Sequence, residues 1–167
     1  MKECGKITFL EVVAYTVEEG LAGAMTAVDC GCDVLMGTKF HKEISDFCRV
    51  HNLKYMPFVD HIEGRPSVLT GYIDDIINEA KYALDNGANG IDLLGYRYVG
   101  DVKELITRIV RETEGPVCVA GNVDSYEKLD EIKEINPMAF TIGSAFLKIN
   151  SMGILKNKSI KLTRVSL

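Results

Sequence analysis

Two short apolar runs, residues 117–120 and 139–142, each follow a proline within two positions and each end in glycine plus a polar residue: Gly121-Asn122 and Gly143-Ser144. Runs of this length and composition read as buried strands. Between them Ser125 precedes Leu129, Ile132 and Ile135 at helical spacing, with acidic residues early in the run, the pattern of a capped amphipathic helix. Strand, helix and strand in this order form a parallel unit, and ligands of such units gather at the carboxyl ends of the strands. Glycine there lets backbone N–H groups approach an anion, and the positive end of the helix starting near Ser125 faces the same region.

The rest of the chain repeats the rhythm. Residues 7–15 form a β-branched and aromatic run, after which Thr16 caps a helix over 17–30 closed by Gly31. A strand over 33–36, a helix over 41–52 and a strand over 55–61 follow, the last weakened by Pro57, which has no N–H to give to a ladder. Residues 62–72 make a long loop for a strand-to-helix connection, a sign of function. A helix over 73–86 ended by Gly87, a strand over 90–95 and a helix over 101–114 lead into the final unit. Alternation of this kind predicts a parallel sheet covered by helices.

The two glycine turns resemble the last two strands of the phosphate-binding aldolase-type barrels, which include the ribulose-phosphate-binding enzymes and the glycerol-uptake antiterminator-like proteins. In that superfamily the turns after strands seven and eight hold a phosphate, so the resemblance implies Gly121, Asn122, Gly143 and Ser144 as its binding residues. It also sets the register: the six strands correspond to strands three to eight, and the first two strand-helix units have no counterpart. The expected fold is an incomplete α/β barrel of the TIM type, about six of eight units, over residues 1–147, with a tail over 148–167. A complete barrel needs at least ~200 residues. A doubly wound open sheet is the alternative, but it carries its glycine-rich phosphate turn after the first strand.

Composition narrows the surroundings. The 167 residues are 47% hydrophobic and 26% charged, enough for one globular core, and no apolar run is long enough to span a membrane. With no secretory signal the expected compartment is the cytoplasm. Five cysteines at scattered positions suit free thiols, and Cys30-x-Cys32 has no second ligand pair at zinc spacing, so neither a metal nor a cofactor is expected. A net charge of −5 opposes nucleic-acid binding, although residues 148–167 hold four Lys and one Arg without an acid.

Candidate chemistry sits at strand ends. Glu11 and Asp92 are charges inside apolar strands, where an unpaired carboxylate is unfavourable, and suit either acid–base catalysis or a buried ion pair. Leu10-Glu11-Val12 resembles the strand of the keto-deoxy-phosphogluconate aldolases whose Glu is a catalytic acid/base. Asp60 and His61 end the third strand as a possible base and orienter, or as a plain loop pair. Arg97 follows the fourth, placed to pair with a substrate carboxylate or phosphate, or with a surface acid. Lys39 is the one lysine placed for a Schiff base, and is equally suited to be a loop cation or a phosphate contact. Arg65 and Ser67 lie in the long loop and would close over a substrate. These residues predict a lyase or an isomerase/epimerase acting on a phosphorylated small molecule through carboxylate chemistry. The alternatives are an antiterminator-like metabolite-binding regulator and an inactive, truncated barrel. Exposed sheet edges predict a homo-oligomer.

Overall fold

The computed structural model describes residues 5–143 except Asp60. Six parallel strands form one sheet in sequential order: β1 (Phe9–Ala14), β2 (Val34–Lys39), β3 (Lys54–Phe58), β6 (Ile91–Leu93), β7 (Val117–Val119) and β8 (Ala139–Phe140). The order never reverses, which separates this arc from a doubly wound sheet and gives the incomplete barrel that the family resemblance implies. Helices α1 (Val17–Asp29), α2 (Lys42–Val50), α3 (Ile73–Asp85), α4 (Val102–Glu112) and α5 (Tyr126–Ile135) connect the strands.

The outer face of the sheet is packed against these helices. Leu35 and Tyr55 meet Ala24, Ala27, Ile44 and Cys48 of α1 and α2, while Ile91, Leu93, Val117 and Val119 meet Ile76, Ile77, Leu105, Ile106 and Ile109 of α3 and α4. Helix α1 approaches closely because its packing stripe is small: a methyl group on Gly23 would stand 2.9 Å from Val12 Cγ1. Three helices start on side-chain caps, with Thr16, Asp101 and Ser125 accepting from Glu19, Glu104 and Lys128 N–H groups.

The inner face is a second, thinner layer. Val34, Met36, Met56 and Cys118 pack together there with Met138 and Ala139. Glu11 stands beside Met36 and Asp92 beside Cys118 in the strand register, so both carboxyls share this face.

Two features differ from the sequence expectation. Pro57 lies inside β3, which has neighbours on both sides. Between Met36/Met56 and Lys39/Phe58, β2 carries one residue more than β3, so the missing donor falls where the ladder is already irregular. The connection over 62–72 is no plain loop: β4 (Ile62–Glu63) and β5 (Val68–Leu69) pair as a small antiparallel hairpin separate from the main sheet. Leu69 is fully buried and anchors it, Tyr98 Oη donates to Gly71 O at 2.8 Å, and the Val99 N–H donates to Leu69 O. Among the described residues no helix is long and apolar enough to cross a membrane. Ser144 and the basic segment 148–167 lie outside them.

Candidate active site

At the carboxyl ends of the strands a cleft of about 190 Å³ is lined by Glu11 of β1, Ser67 of the hairpin, Arg97, the turn Gly121–Asp124, and Gly143. Six of the residues predicted from sequence, Glu11, Ser67, Arg97, Gly121, Asn122 and Gly143, therefore meet although they are spread over more than 130 positions of chain. Gly121 has φ +87°, and a methyl group there would lie 2.9 Å from Arg97 Cγ, so this turn and the Arg97 stem fit against each other only because residue 121 lacks a side chain. Asn122 is also left-handed, at φ +51°. Gly143 is different: no described residue lies within 4 Å of where its side chain would begin.

Arg97 reaches the cleft from the 3-10 turn Gly95–Arg97 that follows β6, and its Nη1 donates to the Ser67 carbonyl at 3.3 Å. The hairpin is held down on its other side by Tyr15, whose Oη lies 2.7 Å from Ser67 Oγ and donates to Gly64 O at 2.9 Å, with the Arg65 guanidinium 5.5 Å over the Tyr15 ring. Arg65 itself is exposed and does not line the cleft. The turn after β7 is fixed by Lys128, whose Nζ donates to Asn122 O at 2.6 Å and Asp124 Oδ1 at 2.8 Å.

The amino end of α5 is occupied by its own residues. Ser125 Oγ accepts from the Lys128 N–H, and the Glu127 carboxyl is held below its usual range by its own backbone N–H and by the Ser125 hydroxyl. An anion in the cleft consequently meets the backbone of the Gly121 turn and the Arg97 guanidinium rather than a bare helix end.

Asp92 lies in β6 with no exposed surface, and neither carboxylate oxygen has a partner among the described residues. Burial, and then the charge of Glu11, push its pKa well above the ordinary carboxylate value. The Cys118 thiol beside it is pushed up too, by burial first and then by the two carboxyls. The buried ion pair considered for Glu11 and Asp92 has no cation among the described residues: Glu11 is exposed, and no described residue partners Asp92.

The remaining candidates lie elsewhere. His61 Nε2 stands 3.1 Å from Glu79 Oε1 of α3, away from the cleft. Lys39 ends β2, where its carbonyl accepts from Tyr55 Oη, and its side chain is not among those lining the cleft. Asp60 and Ser144 are outside the described residues. No metal-holding group of three or more His, Cys, Asp or Glu side chains occurs among the described residues. Sequence reasoning missed Tyr15, Asp124 and Lys128. Tyr15 sits at a strand carboxyl end like Glu11, and Asp124 and Lys128 stand at the i,i+4 spacing of an ion pair, so both signals were present.

No family model and no curated protein matches the sequence. Solved structures do match. Deoxyribose phosphate aldolase from Aeropyrum pernix superposes with a TM-score of 0.58 at 15% identity over 80% of this chain and 60% of its own. The tryptophan synthase A-subunit of Pyrococcus furiosus gives 0.58 at 16% over 83% and 57%. The Sulfolobus sulfataricus 2-keto-3-deoxygluconate aldolase in complex with D-KDPG gives 0.53 at 16% over 91% and 58%. This chain thus spans less than two thirds of each of these three chains. At such identity the likeness is one of fold, and the fold is the α/β barrel of the TIM type, present in the described residues as an arc of six strands and five helices.

Proposed function

We propose that the cleft binds a small phosphorylated molecule and that the protein is a lyase or an isomerase/epimerase working by carboxylate acid–base chemistry. The observation that carries this reading is the convergence of Glu11 from one edge of the sheet with Arg97 and the Gly121–Asn122 turn from the other. The anionic group sits against the backbone of the turn and the guanidinium; Glu11, exposed in the cleft, is the base; and Asp92, buried behind it, is an acid kept neutral by its surroundings. The aldolases among the structural neighbours support the lyase side of the proposal.

Calorimetric titration of glycerol phosphate tests the anion site. Arg97→Gln is expected to weaken binding about tenfold or more, the size of a lost charge-assisted hydrogen bond. Proton exchange tests the chemistry: a phosphorylated hydroxy-ketone incubated in D2O should lose carbon-bound hydrogen by NMR with the wild type and not with Glu11→Gln. Binding that is indifferent to Arg97, or exchange that survives in Glu11→Gln, would reject the respective assignment.

We also propose self-association through the β1 edge. Ile7, Phe9 and Val13 are 53%, 45% and 38% exposed, and among the described residues β1 pairs on one side only. An apolar strand edge of this kind invites a partner. Sedimentation equilibrium should give a mass above that of one chain, and Phe9→Glu combined with Val13→Lys should reduce it towards the monomer; a wild-type monomer refutes the proposal.

A further inference from the structure

The charges that line the cleft are unevenly matched. Arg97 is its one cationic lining residue among the described residues, facing the carboxylates of Glu11 and Asp124. Asp124 is already engaged by Lys128 Nζ at 2.8 Å. Glu11 has no hydrogen bond or ion pair with any described residue. Behind it the inner face of the sheet offers another acid rather than a base: Asp92, fully buried, with neither oxygen partnered by a described residue. Apolar neighbours complete the surroundings, with Val13 and Phe58 in the cleft wall and Met36 beside Glu11 in the strand register. One end of the cleft is therefore suited to an anion and the other presents negative charge that the described residues leave unbalanced. A ligand that is only an anion would satisfy Arg97 and be repelled at Glu11.

We infer that the ligand of this cleft is a phosphate ester that also carries an amine, its phosphate held by Arg97 and the Gly121 turn and its ammonium paired with Glu11. The inference rests on the proposed anion site and adds the chemistry of the opposite end. It distinguishes a zwitterionic substrate from a simple sugar phosphate. It also gives Glu11 a positioning role, because an ammonium drawn to this carboxylate brings the neighbouring C–H bonds beside the same oxygens.

The test compares two small probes that share a phosphate ester and differ by an amine, O-phosphoethanolamine and ethyl phosphate, by calorimetry at neutral pH. Wild-type protein is expected to bind O-phosphoethanolamine about tenfold more tightly, the size of one charge-assisted hydrogen bond. In Glu11→Gln, an isosteric change at an exposed position, that preference should vanish while the affinity for ethyl phosphate holds or rises. Equal affinities in the wild type overturn the inference and leave the anion site standing, without recourse to any variant. Failure of both probes to bind overturns the anion site and the inference together.

Discussion

Replacing Asp92 by Asn should stabilise the protein at neutral and alkaline pH and flatten its stability profile. Asp92 is buried without a partner for either oxygen among the described residues, and its pKa is raised above the unfolded value by desolvation first and the Glu11 charge second. The folded state then holds a proton that the unfolded chain releases, so the contribution is fully present below the unfolded value of 3.8 and is lost as pH rises towards the folded one. Within that window the loss is about 1.4 kcal/mol per pH unit. Asparagine keeps the shape and cannot ionise, so the difference between the variant and the wild type should grow with the same slope and level off above the folded pKa. Urea unfolding of both proteins between pH 4 and pH 9 measures it directly, since groups common to the two cancel. Parallel profiles would mean that Asp92 finds a stabilising partner in solution, and its assignment as a neutral acid would fall with them.

The sign of that effect explains why such a residue stands in the strand. A buried carboxyl without a hydrogen-bond partner lowers stability at every pH, and more so once ionised, so packing alone does not call for it. In the proposed chemistry it is the neutral acid behind Glu11, a proton donor that an apolar residue could not replace.

What the sequence made legible was local. The alternation of apolar strand and capped helix depends on spacing within a few turns of chain, and it located all six strands of the main sheet. Asp92 stood out for a similar reason: it is a charge flanked by Ile91 and Leu93, both fully buried in the structure. The hairpin was less legible because its strands are two residues each, too short for any period to develop, and its anchor is the long-range burial of Leu69. His61 looked like a partner for the site because it follows a strand, yet its ring turns to Glu79 on α3, a contact that only the packing of that helix decides. Nor could spacing tell that Arg97 would lie against Gly121, since the pair is made by the pairing of β6 with β7.

Gly121 and Gly143 looked equivalent in sequence, and they should behave oppositely when mutated. Gly121 takes φ +87°, a region in which a β-branched residue is strained by roughly 1–3 kcal/mol, and its new side chain would collide with Arg97 Cγ at 2.9 Å. Gly121→Val is therefore expected both to lower stability and to push aside the guanidinium that the anion needs, leaving glycerol phosphate binding too weak to measure by calorimetry. Gly143 has no described residue within 4 Å of its missing side chain and no positive φ, so Gly143→Ala should fold like the wild type and bind with an affinity changed less than about threefold, below the weight of one neutral hydrogen bond. The cleft itself explains the asymmetry: one glycine is a seat for Arg97, and the other has no described residue packed against it. Loss of binding in Gly143→Ala with retention in Gly121→Val would reverse these assignments and move the anion to the β8 turn. An anion held by the β8 turn would no longer need Arg97, and Arg97→Gln would then bind glycerol phosphate as the wild type does.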